Sequence, residues 1–336
     1  MEVTAGTVEI ITCAILILVS LIGNTILIYC TWKCITRHLP TSFALIFSLA
    51  VVHLARNLVV NVMSIVFNSG VVVDSPTCKV GKFTAAVTTT LAVWFTLYLA
   101  VLYCVKLYRV VHPLNMAPEK KWRRHHLFAV FVLWAAGIAV CCPVLVFGEK
   151  AAHVVAENAT QSQYDSLLYT ECLVNYSSQQ VALFYGKIFL VIVDLLPLAV
   201  LVLVSFRVVL LLWEHKKATY GDIWIGSDAT EDEVLRASKL VIFLMFLVTL
   251  LWVSHFILVY FLTDLSSYYF IPAVLTVLFS GYSALSPYLL VLINYKVRVQ
   301  LRSLKSFCCP DFKKSVLPDV KKSVSESAIT VASPDT

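Results

Sequence analysis

Seven apolar runs, each long enough to cross a bilayer, constrain this chain more than any other feature. They fall at about Val8–Trp32, Ser42–Phe67, Cys78–Val110, His126–Phe147, Val181–Trp213, Lys239–Leu262 and Tyr268–Tyr295. A helix rises about 1.5 Å per residue and a bilayer core is about 30 Å thick, so roughly 20 residues suffice. In lipid the backbone has no water to bond, and a helix satisfies its own polar groups. The expected fold class is an all-α membrane protein, a seven-transmembrane-helix bundle. Only 14% of the residues are charged and 60% are hydrophobic, whereas soluble domains carry about 25% charge. The net charge of +6 is spread over segments flanking the runs, so membrane topology explains it and nucleic acid is not an expected partner. Met1–Gly6 has no positive n-region, and the first run is long enough to stay as a span.

Lys and Arg set the orientation. Lys33 and Arg37 follow the first run, Lys106, Arg109, Lys120, Lys121, Arg123 and Arg124 the third, and Arg207, Lys216, Lys217, Arg236 and Lys239 surround the fifth-to-sixth connection. The opposite side has only Lys79, Lys82, Lys150 and Lys187. Positive charge stays in the cytosol, which predicts a plasma-membrane protein with its N-terminus outside and its tail inside. The sequons at Asn158 and Asn175 then fall in one outer loop, as glycosylation requires. Of the ten cysteines, only Cys78 and Cys172 lie on the oxidising side, so a single bridge is expected there. It would tie the start of the third helix to the second outer loop.

The division that follows is a short outer N-terminus (1–7), a seven-span bundle (8–295), an amphipathic inner helix (296–309) and a disordered serine-rich tail (310–336). Thr230, Glu231, Asp232 and Glu233 have capping-box spacing and start the sixth helix in the cytosol. Val297, Leu301, Leu304 and Cys308 share one face of the inner helix, with Arg298, Arg302 and Lys305 elsewhere, as in a helix lying on membrane lipid. Cys308 and Cys309 beside it are candidates for palmitoylation.

Ionisable groups inside a span cost about 2.5–3.5 kcal/mol each at mid-bilayer, so each needs a reason. His53 reads as an interhelical lock. Arg56, Asp194 and His255 fit either a lock or a ligand cavity, and Asp194 reads as the only clear acid in mid-span. Thr84, Thr88 and Thr89 on the third run, with Thr276 and Ser280 on the seventh, are candidates to line the same cavity.

Seven spans, an outer N-terminus, the Cys78 bridge and an inner amphipathic helix together resemble the rhodopsin-like G-protein-coupled receptors. Gly23-Asn24, Leu49-Ala50, Trp134, Pro197 and Pro287 stand where that class has landmarks. The departures matter as much. His53 replaces the usual acid of the second span, no Asp-Arg-Tyr follows the third, and the sixth has Trp252 without its proline. The seventh reads Ser286-Pro287-Tyr288. This pattern, with His53 through Leu58, resembles the vomeronasal type 1 receptors and their fish counterparts, the class-A-related olfactory receptors. Trp94, Leu102, Tyr103, Lys106 and Leu107 also resemble the bitter taste receptors; Cys78 tips the reading toward the vomeronasal branch.

The resemblance implies a receptor for a small odorant or pheromone that activates a heterotrimeric G protein, with Tyr103, Lys106 and Arg109 at the coupling surface and arrestin as a partner of a phosphorylated tail. A bitter-taste-type receptor is the alternative. An intramembrane enzyme would need a nucleophile–base pair, paired carboxylates or a metal cluster, and the sequence has no HExxH or GxSxG. A transporter would show internal repeats and paired broken helices. No cofactor is expected. If the orientation is right, Asn158→Gln and Asn175→Gln will each remove one glycosidase-sensitive step in gel mobility; unchanged mobility in both variants would count against an outer second loop.

Overall fold

The computed structural model describes residues 5–37, 41–71, 73–112, 119–150, 172–174, 180, 183, 193, 195–221, 229–260, 271–293, 297–299 and 301. It contains seven helices long and apolar enough to cross a membrane. They are α1 (Ala5–Arg37), α2 (Thr41–Asn68), α3 (Ser75–Val111), α4 (Glu119–Phe147), α5 (Leu196–Gly221), α6 (Ala229–Tyr260) and α7 (Ile271–Ile293). A two-stranded antiparallel ribbon, β1 (Gly148–Lys150) with β2 (Cys172–Val174), supplements the expected all-α bundle. Its register pairs Gly148 with Val174 and Lys150 with Cys172, and both strands pack on α3.

Local chemistry explains the sharp ends. After α2, Val71 N–H donates to the Val66 carbonyl and Gly70 N–H to that of Phe67, while Gly70 takes φ +71°. That is a Schellman stop, in which glycine alone accepts the left-handed conformation without strain. The chain re-enters α3 through Asp74 at the N-cap and Pro76 in the first turn, where a missing N–H costs nothing. At the far end His112 N–H bonds the Tyr108 carbonyl, and Pro113 follows immediately, which disfavours further helix. The 37 residues of α3 would extend about 55 Å at helical rise, well beyond the bilayer core. Such a helix must tilt or protrude.

α3 is the central post, contacting α2, α4, α5 and α6. In its most apolar window 67% of residues are buried, against 22% in α4 and in α5, whose outer faces meet lipid. Phe95 of α3 meets Trp134 of α4 edge-on at 5.6 Å, and the Trp134 indole donates to Ser48 of α2 at 3.3 Å. Without a hydrophobic drive between helices in lipid, small residues permit the closest approaches. A Cβ on Gly23 of α1 would sit 2.8 Å from the Pro287 ring and 2.9 Å from Tyr288 of α7. A Cβ on Gly137 of α4 would meet a methyl of Leu91 at 2.6 Å. Of the inner helix expected at 296–309, the described residues 297–299 and 301 are helical; Val297 is fully buried and Leu301 packs on the core.

The two glycines predict different tolerances. Two rigid rings confront Gly23, so Gly23→Ala should cost about 1–3 kcal/mol and lower the unfolding temperature in detergent. Leu91 ends in rotatable methyls, so Gly137→Ala should lower it less. The reverse ranking would contradict the α1–α7 packing.

Candidate functional site

One seam of polar side chains runs through this apolar bundle, between α2 and α7 with α1 across one end. Along α2 it comprises His53, Arg56, Asn57, Asn61 and Ser64, all buried and recurring at the three- and four-residue spacing of one helix face. Along α7 the same spacing presents Thr276, Ser280, Ser283 and Ser286, also buried. Three rungs join the two helices directly. Ser280 donates to Asn61 Oδ1 at 3.1 Å, Arg56 Nη1 donates to Ser283 Oγ at 3.3 Å, and Ser286 Oγ bonds His53 Nδ1.

The end of the seam nearest the start of α1 is closed by Glu9. Its side chain is 3% exposed and accepts a 2.5 Å hydrogen bond from Ser64 Oγ and a 3.5 Å one from Thr276 Oγ1. Glu9 is thus a buried acid at the end of a span, besides the mid-span Asp194, which lies outside the described residues. Glu9 is the second residue of the first apolar run and reads as an interfacial side chain; only the approach of α2 and α7 makes it buried. At mid-seam the Arg56 guanidinium also lies 6.0 Å from the Trp252 ring centroid, a cation–π contact reaching α6. Tyr282 crosses to α3, sharing a hydrogen bond with Thr96 and meeting His53 edge-on.

Proline shapes the same region. Pro287 lies inside α7 and has no N–H for the carbonyl of Ser283, four residues earlier. Asn24 of α1 supplies the donor instead, its Nδ2 reaching that carbonyl at 3.4 Å while also bonding the Ser20 carbonyl at 3.0 Å. Tyr288 Oη donates to the Val19 carbonyl at 2.8 Å, a second tie between α1 and α7.

The structure gathers Arg56, Thr276 and Ser280 into this seam and sets the third-helix threonines apart. Thr84 lines an apolar groove between α2 and α3, its hydroxyl bonded to the Val80 carbonyl at 2.7 Å. Thr88 returns its hydroxyl to the Thr84 carbonyl at 2.7 Å. Thr89 differs: its hydroxyl is buried and has no hydrogen-bond partner among the described residues. It precedes Thr96 by seven residues, about 20° short of two full turns. Thr89 therefore shares the α3 face that meets Tyr282. His255 belongs to α6, but its side chain lies outside the described residues, as does Asp194.

At the opposite end Tyr103 is buried, with the Lys106 ammonium 5.1 Å from its ring centroid. Arg109 stands one turn further along the half-buried end of α3, and Tyr108 stacks on His112 at 4.7 Å. Tyr98 bonds His126 of α4, around which Lys106, Arg109 and His125 cluster electrostatically. Cys78 is buried and disulfide-bonded at the start of α3. Asn158, Asn175, Cys308 and Cys309 lie outside the described residues, and of Cys172 only the backbone, in β2, is described.

Seven bilayer-length helices knit by a buried polar seam are the frame of a multi-pass membrane protein. A family model described as Taste receptor protein (TAS2R) matches residues 1–309, and the chain belongs to that family, the bitter taste receptors. It is a chemosensory G-protein-coupled receptor and not an enzyme. No individual curated protein matches it. The match falls on the bitter-taste branch held above as the alternative and gives no support to the vomeronasal one. A sulfur anchor such as Cys78 stabilises any bundle with a long outer loop and so does not separate the two branches.

The seam yields a stability prediction. Glu9→Leu leaves the buried hydroxyls of Ser64 and Thr276 without their acceptor and should cost about 1–3 kcal/mol, read from thermal unfolding in micelles. Glu9→Gln keeps an acceptor oxygen and should cost clearly less. Equal losses would show that side-chain shape, rather than the hydrogen bonds, matters there.

Proposed function

We propose that a small bitter-type ligand enters this receptor from outside and binds in the interior bounded by α3, α6 and α7. The observation that carries this reading is the Thr89 hydroxyl, a buried polar group with no partner among the described residues, on the interior face of α3. Leaving such a group unmet costs free energy, and a ligand that bonds it recovers that cost. The ligand best matched is therefore small, with a hydrogen-bonding group held among apolar side chains.

Arg56, Thr276 and Ser280 act as interhelical ties in this reading, because their polar ends already meet Ser283, Glu9 and Asn61. Asp194 and His255 stay candidates for the α5 and α6 walls. The charge asymmetry supports an outer N-terminus, a plasma-membrane site and a cytosolic coupling face. Cys172, on the strand β2 that packs on α3, is the partner we assign to Cys78, which is disulfide-bonded.

Binding shifts a two-state equilibrium only by its differential affinity. Ligand at Thr89 would bear on Tyr282 through the shared α3 face, and so on the seam and the inner ends of the helices. There Lys106 and Arg109 offer positive charge to a heterotrimeric G protein, with the buried Tyr103 setting the position of Lys106.

Cells displaying the chain should show agonist-dependent nucleotide exchange when screened against a panel of bitter compounds; none at confirmed surface expression would reject the receptor reading. For agonists found, Thr89→Val, which keeps shape and removes the hydroxyl, should raise the half-maximal concentration by about 2- to 12-fold, the worth of one hydrogen bond. An unchanged concentration for every agonist would remove Thr89 from the site.

A further inference from the structure

Outside the seam and the interior face of α3, the described residues form a groove of about 570 Å³ between the adjoining ends of α2 and α3. Its walls include Leu58, Val62, Met63, Val80, Gly81 and Thr84. Among the described residues no charged one lines it. It opens sideways, for Val62 is 44% exposed and Val80 57% exposed on the flank of an apolar bundle. In a bilayer, what meets such a flank comes from the lipid phase. We propose that this groove is a site for a sterol-like amphiphile, a flat, rigid, uncharged molecule with a single hydroxyl at one end.

Three observations select that occupant. The first is depth: the groove follows α3 from Pro76 to Thr84, roughly 12 Å at helical rise. That lies within one leaflet of a core about 30 Å thick. Asp74, exposed, caps α3 just above, which sets the mouth of the groove at the polar interface. The second is shape: Gly81 leaves the α3 wall flat, and a Cβ there would come within 3.1 Å of Met63 Cε. Valines 59, 62 and 80 have stiff, branched side chains and present a fixed surface. A rigid body matches such a wall without the loss of rotational freedom that a flexible acyl chain would suffer. The third is polarity: Thr77 is exposed at the mouth and lines the groove, so a terminal hydroxyl has a partner at the level of the lipid headgroups. The bonded Thr84 hydroxyl further in donates to its own helix.

The volume falls in the range of small-molecule pockets, about 300–1,000 Å³. The site is separate from the interior one, since α3 presents Thr84 and Val80 here and Thr89 and Thr96 elsewhere. It also adjoins the disulfide-bonded Cys78, buried one turn from Gly81, so the wall is covalently anchored. A sterol seated there would brace α2 against α3.

The test uses the full-length receptor in phosphatidylcholine vesicles containing a photoreactive cholesterol analogue. The expected result is labelling concentrated in residues 58–63 and 76–84, competed by unlabelled cholesterol. Val80→Trp and Val62→Trp, both at lipid-exposed positions, should abolish most of it. Leu203→Trp, at a comparably exposed position on α5, should leave it unchanged. Gly81→Ala, a milder filling of the same wall, should weaken it in the same direction and guards against a folding defect in the tryptophan variants. Label spread evenly over the lipid-facing helices would overturn the proposal. So would labelling of the groove as strong with a photoreactive acyl chain as with the sterol, which would mean annular lipid only.

Discussion

Hydrogen bonding in a medium that offers no substitute for water governs this bundle. Each polar side chain on the inner face of α2 must find a partner, within its own helix as Asn57 does with His53 and Asn61 or on another helix, or remain a charge or dipole in hydrocarbon. The match of Asn61 to Ser280, Arg56 to Ser283 and His53 to Ser286 fixes both the rotation and the axial register of α2 against α7. A slip of one turn would break all three contacts together. Apolar packing has no comparable selectivity, because lipid tails solvate leucine as well as another leucine does. The seam specifies the arrangement, and the close-fitting glycines allow it.

The seven spans were legible because transfer into lipid depends on composition averaged over some 20 residues, a quantity that neighbours do not alter. The inner end of α3 at Val111 falls one residue past the expected Val110, whereas its start at Ser75 precedes the expected Cys78, because Pro76 in the first turn is compatible with a helix start. The partners within the seam were not legible. Ser283 and Ser286 are unremarkable serines in the sequence, and only tertiary packing brings them to residues on α2. Glu9 was missed for the reverse reason: an acid at the edge of an apolar run reads as interfacial until two other helices cover it. Thr89 was singled out with Thr84 and Thr88, yet nothing local separates the three. Their hydroxyl partners do.

The seam also distributes stiffness. α1, α2 and α7 are joined by hydrogen bonds at several levels, from Glu9 through Asn61 to Asn24 and Tyr288. Between α5 and α6, Ser205 Oγ donates to the Met245 sulfur at 3.3 Å. A weak sulfur acceptor resists displacement less than an amide or a guanidinium does.

Pro287 has a mechanical consequence. An ordinary helix bends only by stretching a backbone hydrogen bond, and in lipid that strain has no solvent to relieve it. At Ser283 the backbone bond is already absent, and the carbonyl is held by the side chain of Asn24 on a different helix. α7 is thus articulated there, and the torque needed to swing its last turns is set by a side-chain amide at 3.4 Å. Because that amide belongs to α1, the first helix serves as the outrigger against which the seventh flexes.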